Sequence, residues 1–378
     1  MVNKEVWDKT ALQPLELPNQ VVVHNRIWRA STWMGIANSD GTVNDTVIDT
    51  YSKIKAGLVL SGFQYVSPDG KSLPGQLSNS KPEDLNGLKR LAEIIHSTGS
   101  LAGAQLVHCG GASNPIFWGG DAALGPSDGE VPIPTGGKRK VRAMSIEKIE
   151  DVTKAYAEAA KRAVDAGFDV ISVHGAHGYG LWQFFDPAVN KRPNDDPYTG
   201  TTLEGRSKAM IDTILAIKKV VDVPIFVKVN SSSSSTEPEE VGQLVKKMAN
   251  AGACLVIISG SRASQNPKKV GEAYFLEKAM KIKEIVGDSN ISFALVGGIR
   301  SPETIVKLLS GNGNKRAKFE AVVLCRPLIS EPALIERWNR EAKTGVQTPA
   351  RCISCTRCFE PTYSGKGVQC MSFKDEKS

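Results

Sequence analysis

Short apolar runs rich in Val, Ile and Leu recur at residues 57–62, 101–106, 169–173, 224–229, 255–260, 291–296 and 321–325, after an opening segment at 21–31. Between them apolar residues return every three or four positions. The clearest such stretch is 145–166, where Ile146, Ile149, Val152, Tyr156, Ala159, Ala160 and Ala163 share one face. Ser145 is placed to start this helix and Gly167 to stop it. Further helices are predicted at 85–97, 204–221, 238–251, 274–286 and 302–310. Runs that stay apolar throughout are strands buried on both faces, the pattern of a parallel sheet flanked by helices. Eight of them predict closure into an α/β fold, a (β/α)8 TIM barrel over residues 1–345. An open doubly wound sheet would carry a G-x-G-x-x-G turn after its first strand, and the chain has none there.

On such a barrel the catalytic groups stand at the C-terminal strand ends. Gln105, His108, His174, His177, Tyr179, Lys228, Asn230, Ser259, Gly297, Gly298 and Arg326 all fall at or just past one. The densest group is His174-Gly-Ala-His177-Gly-Tyr179, two imidazoles and a phenol within six residues. The H-x-x-H spacing suggests a metal, but Gly175 and Gly178 break the helix that would align the two imidazoles. Substrate binding and proton transfer are therefore expected of them. Gly297-Gly298 after the seventh strand and Arg326 after the eighth stand where barrels hold a phosphate, with bare amides on one side and a forked donor on the other.

A composition of 41% hydrophobic and 23% charged residues is that of a globular protein with a large core. No apolar run approaches the roughly 18 residues of a membrane span, and the first residues lack a signal peptide's hydrophobic stretch, so the expectation is a cytoplasmic protein with no membrane partner. The net charge of +7 is modest. Its densest cluster, residues 138–142, lacks aromatic interleaving and reads as a solvated hairpin, with an anionic ligand contact as the alternative and no nucleic-acid partner. The five-serine run 231–235 is expected to be a mobile loop at the barrel mouth, and residues 190–202 a long loop over the same face. Of seven cysteines, Cys352, Cys355, Cys358 and Cys370 crowd a tail at 346–378. In a reducing compartment they read as metal or redox chemistry before disulfides.

Taken in order, Asn25-Arg26, Ala30-Ser31, Gln105-Leu106-x-His108, the His174 to Tyr179 segment followed by Gln183-Phe184-Phe185-Asp186-Pro187, Asn190-x-Arg192, Glu204-x-Arg206, Lys228, Gly297-Gly298-Ile299-Arg300 and Arg326-Pro327 resemble the old yellow enzyme family of FMN-dependent ene-reductases. The resemblance implies FMN across the barrel mouth, its phosphate near Gly297, Gly298 and Arg326. It implies a ring seated on Ala30, Ser31 and Gly57, with Gln105 and Lys228 at the pyrimidine edge. His174 and His177 would hold the activating oxygen of a small-molecule substrate, and Tyr179 would give a proton to the alkene carbon. NADH or NADPH would supply the hydride. Three positions depart from the pattern: Trp33 replaces a small residue near the flavin, Cys325 replaces Gly before the eighth-strand Arg, and the usual Y-G-G-S-x-E-N-R is altered to residues 198–206. The tail is similar to the cysteine segment of the 2,4-dienoyl-CoA reductases, implying an iron-sulfur cluster; the four thiols also suit zinc, and unligated thiols on a tail packed against the barrel are the third reading. Reduction of a nitro compound, quinone or disulfide with the terminal cysteines taking part is the alternative activity. A non-catalytic phosphate- or flavin-binding barrel is the other. A homo-oligomer is compatible with either.

Overall fold

The computed structural model describes residues 2–133, 136–260 and 271–373. Eight parallel strands form its centre: β1 (Ile27–Arg29), β2 (Leu58–Leu60), β3 (Leu101–Val107), β4 (Val170–Gly175), β5 (Ile225–Asn230), β6 (Leu255–Ser259), β7 (Ser292–Val296) and β8 (Ala321–Leu324). Each pairs with the next, and β8 returns to β1 with Val322 opposite Ile27 and Leu324 opposite Arg29. The sheet is thus a closed (β/α)8 barrel, as the eight apolar runs predict. A helix follows each strand: α1 (Asp45–Ser52), α2 (Asp84–Ser97), α3 (Ile146–Asp165), α4 (Leu203–Lys218), α5 (Pro238–Asn250), α6 (Leu276–Val286), α7 (Pro302–Ser310) and α8 (Leu334–Thr344). The start of α3 is set by Ser145, whose hydroxyl accepts from the Lys148 amide, and its end by Gly167 at φ +94°.

Side chains alternate along each strand, and that alternation builds the site. Trp28, Leu58, Val170, Phe226, Leu255, Ala294 and Ala321 point into the barrel and pack as one buried cluster. Trp28 and Phe226 stack with ring centroids 5.6 Å apart. Two residues further along, the inward positions turn polar: Lys228 follows Phe226, Ser172 and then His174 follow Val170, Ser259 follows Ile257, and Cys325 follows Val323. The lower layers supply burial worth about 1.5–3 kcal/mol per large side chain, and the upper layer carries chemistry. The opening segment 21–31 is not one strand. Val22–Val23 pairs antiparallel with Leu15–Glu16, and Leu15, Leu17 and Val23 plug the barrel floor.

Three features stand at the mouth. Strands at 123–125, 129–132 and 138–143 form a three-stranded flap in which the basic run 138–142 lies on the central strand. Its Arg139 donates to the carbonyls of Ala112 and Ser113, and its Arg142 pairs with Asp121. The loop at 190–202 is fixed by Arg192, which holds Asp196 and donates to the carbonyls of Pro126 (2.9 Å) and Met144 (2.8 Å). The serine run is pinned, contrary to the expectation of a mobile loop. Ser231 and Ser232 are buried, the Ser231 amide donates to the Ser259 carbonyl, and the Ser233 and Ser235 hydroxyls converge on the Asp186 carboxylate. Short hydroxyl side chains can cap a carboxylate from within their own turn, a use of serine that composition alone does not reveal. Among the described residues no helix is long and apolar enough to cross a membrane.

The tail folds back on the barrel. The Ala350 amide donates to the Arg300 carbonyl, the Val368 amide to the Met34 carbonyl, and Met34, Cys358 and Val368 form a small buried cluster.

Candidate active site

His174 is the penultimate residue of β4, paired in register with Lys228 on β5. It is buried, with ring centroids 5.1 Å from both His177 and Tyr179 and 5.7 Å from Phe63. The chain leaves β4 through His177 at φ +60° and Gly178 at φ +75°. This left-handed turn carries His177 back over the mouth, where the Asn230 side-chain oxygen accepts from its amide at 3.1 Å. Tyr179 then starts the short helix Gly180–Phe185, its ring buried against Phe63, Val107, Cys109 and Ala112. Among the described residues its phenol oxygen has no hydrogen-bond partner, so it is available to a ligand.

Burial sets the protonation of all three. It holds both imidazoles well below the ordinary histidine value, with His177 and the Lys228 ammonium adding to the effect on His174 and Lys228 on His177. It lifts the Tyr179 phenol well above 10. Near neutral pH the group is therefore two neutral imidazoles and one protonated phenol, all able to donate hydrogen bonds. The Ala176 amide donates to His174 Nδ1 at 3.3 Å, which places the His174 hydrogen on Nε2.

Lys228 is buried and makes no hydrogen bond among the described residues. Burial pulls its ammonium down to about 8; the neighbouring Cys325 raises it and Arg29 lowers it further. Burial alone would raise the Cys325 thiol, but Arg29, Thr32, Arg326 and Lys228 outweigh it and leave the thiol below its ordinary value. Between pH 8 and 10.5 the unfolded chain keeps a proton on this lysine that the folded protein sheds, so stability rises with pH through that window. Urea unfolding of flavin-free protein should show this rise, by up to about 3 kcal/mol, and Lys228→Met should remove it. Parallel pH profiles for parent and variant would refute the assignment.

Gln105 lies inside the barrel, its amide nitrogen 3.1 Å from the Ser172 hydroxyl and its Oε1 buried without a partner. Ser31 Oγ at the end of β1 and Asn230 Nδ2 at the end of β5 are likewise buried and unpartnered among the described residues. Buried polar atoms without partners are costly unless a ligand completes them. Beyond β7, Gly297 and Gly298 take φ +133° and +67°; a Cβ on Gly297 would stand 2.7 Å from the Phe275 ring. Arg326, one residue past Cys325, is buried and reaches the Tyr274 hydroxyl at 3.4 Å and the Ser354 carbonyl of the tail at 3.5 Å.

The fold thus brings Ala30, Ser31, Gln105, His174, His177, Tyr179, Lys228, Gly297, Gly298 and Arg326 to one end of the barrel. It does not bring Gly57 there. Gly57 precedes β2, its amide bonded to the Ile27 carbonyl at the start of β1 and its carbonyl to Leu101 at the start of β3. That is the opposite rim; Ser61 and Gly62 occupy the mouth end of this strand. His108 also turns away: its Nδ1 accepts from Gly110, and its Nε2 stands 3.6 Å from Asp69, which pairs with Lys148 at 2.6 Å. Phe63, Ser172, Arg29 and Asp186 shape the site without having been expected there. Ser172 was findable, as a polar residue set between Ile171 and Val173 inside an apolar strand run. The four tail cysteines line one small cavity together with Arg326.

Residues 11–344 match the NADH:flavin oxidoreductase / NADH oxidase family. An NADH oxidase of Thermoanaerobacter brockii is 32% identical over 350 residues, covering 89% of this chain and 51% of that protein. An NADPH dehydrogenase of Bacillus pumilus is 30% identical over 298 residues, covering 78% and 83%. The chain spans about half the length of the first of these and of a probable NADH-dependent flavin oxidoreductase of Bacillus subtilis. Among solved structures, the old yellow enzyme homologue of Zymomonas mobilis superposes with a TM-score of 0.73 at 20% identity, over 88% of this chain and 93% of that one. A 2-naphthoyl-CoA reductase gives 0.82 at 24% identity, over 96% and 56%. At these identities both speak for the fold.

Proposed function

Because the chain belongs to the NADH:flavin oxidoreductase / NADH oxidase family, we propose that it binds FMN across the barrel mouth and uses NADH or NADPH to reduce an activated alkene. The observation that carries this reading is the convergence of two neutral imidazoles and a protonated phenol beside a buried ammonium. The unpartnered atoms fit the cofactor. Gln105 Oε1 and Ser31 Oγ would be completed by the polar edge of an isoalloxazine ring, and the Gly297-Gly298 amides with Arg326 would receive its phosphate. Bound there, FMN supplies the hydride.

The protein groups divide the remaining work. His174 donates Nε2–H to the oxygen of a carbonyl or nitro group, drawing electron density from the conjugated double bond, and His177 stands beside it for the same oxygen. Lys228, a cation below about pH 8, offsets negative charge at the pyrimidine edge. Tyr179 gives its proton to the alkene carbon. In this reading residues 1–345 are the FMN barrel and 346–378 an extension closing its flank.

For the tail we favour an iron-sulfur cluster over zinc. All four cysteines border one cavity, and the likeness of their segment to that of the 2,4-dienoyl-CoA reductases points to a cluster. An absorption spectrum with metal analysis of the purified protein tests FMN, iron and zinc together. His174→Ala should keep flavin bound while raising KM for an enone and lowering kcat. Unchanged enone kinetics in that variant, with quinone or nitro reduction intact, would move the activity to those acceptors.

A further inference from the structure

Two histidines facing one substrate oxygen are useful only if each presents a hydrogen to it, and a neutral imidazole has just one. For His174 the Ala176 amide settles the matter, leaving the hydrogen on Nε2. For His177 the decisive neighbour is on another strand. His177 Nε2 lies 2.9 Å from the hydroxyl of Ser259, the last residue of β6. Ser259 is buried, and that hydroxyl has no other hydrogen-bond partner among the described residues.

Only one direction of this bond leaves no buried hydrogen stranded. If Nε2–H donated to Ser259, the serine hydrogen would be buried with nowhere to go, and His177 would offer the substrate oxygen a bare, repelling Nδ1 lone pair. If Ser259 donates to Nε2, the serine hydrogen is used and the single imidazole hydrogen moves to Nδ1, which belongs to a half-buried ring, has no protein partner among the described residues and is not sealed from solvent or ligand. Burial and the Lys228 ammonium keep the ring neutral, so the two arrangements exclude each other. We propose that Ser259 is a positioning residue that fixes His177 as the Nδ1–H tautomer and thereby makes it the second hydrogen-bond donor to the substrate oxygen. The catalytic part of this statement rests on the function proposed above; the tautomer assignment does not.

The chain has five histidines, so each ring can be assigned in FMN-bound protein labelled with 15N-histidine, using His177→Asn to identify its signals. The parent should show His177 protonated at Nδ1 and His174 at Nε2. Ser259→Ala should shift His177 toward the Nε2–H form, and Ser259→Thr, which keeps the hydroxyl, should restore Nδ1–H. With an enone, Ser259→Ala should raise KM roughly 3- to 10-fold, the loss of about one hydrogen bond, with flavin reduction by nicotinamide unchanged and Ser259→Thr close to the parent. An Nε2–H signal for His177 in the parent, or one indifferent to Ser259→Ala, overturns the proposal. Tautomers as expected with no change in enone kinetics would uphold the role of Ser259 toward His177 and count against the alkene reading instead.

Discussion

Tyr179→Phe is expected to slow transfer to an alkene by roughly 10²- to 10⁴-fold while flavin reduction by nicotinamide stays within a few-fold of the parent. Only the alkene needs a proton at carbon. The substitution keeps the ring among Phe63, Val107, Cys109 and Ala112 and deletes one acidic hydrogen, so a defect is chemical in origin. Because burial holds the phenol well above its ordinary value, the parent rate should not fall through phenol ionisation at any pH below 10. Stopped-flow reoxidation with cyclohexenone measures the step, and a quinone, which needs no carbon protonation, is the control. Parent-like reoxidation in the variant would hand the proton to another donor, such as water.

The second large effect is expected at Arg326. If Arg326 holds the FMN phosphate as proposed, Arg326→Ala removes a charge-assisted contact worth about 1.5–3 kcal/mol, which corresponds to roughly 10- to 150-fold weaker FMN binding. Fluorescence of FMN released on dilution reads it directly. The same guanidinium reaches the Ser354 carbonyl, so the variant should also expose the tail cysteines to a thiol reagent more quickly. Full FMN occupancy at limiting cofactor would remove Arg326 from the phosphate site.

The barrel was legible because its strands are buried on both faces: seven of the eight apolar runs fall on barrel strands within about two residues. The opening run misled, since Val22–Val23 and Ile27–Arg29 are both apolar but serve different sheets, and hydrophobicity does not encode the turn at Asn25, whose side chain accepts from the Ile27 amide. The site was legible where a polar residue ends an apolar run, as at Lys228 and His174. Gly57 shows the limit of that rule, because a glycine flanks a strand equally well at either rim. His108 shows another: a strand-end imidazole can turn outward to a carboxylate such as Asp69, which lies on a distant turn and pairs with Lys148 of α3. Arg29 was invisible for a related reason, being an outward residue whose partners, Thr32 and the Cys325 carbonyl, lie on a later turn and a distant strand.

Trp33 packs both on the aromatic pocket beside Tyr179 and on the cluster that seats Cys358, with its indole N–H anchored to the Pro74 carbonyl at 2.9 Å. A single rigid plate shared by two compartments makes their binding equilibria reciprocal: if a ligand that displaces the indole from the pocket loosens the tail's hold on its own occupant by some factor, that occupant weakens the ligand by the same factor. If the tail holds the proposed metal, titrating an aromatic enone against protein with and without it should reveal this as a matched pair of affinity changes, and Trp33→Ala should uncouple the two.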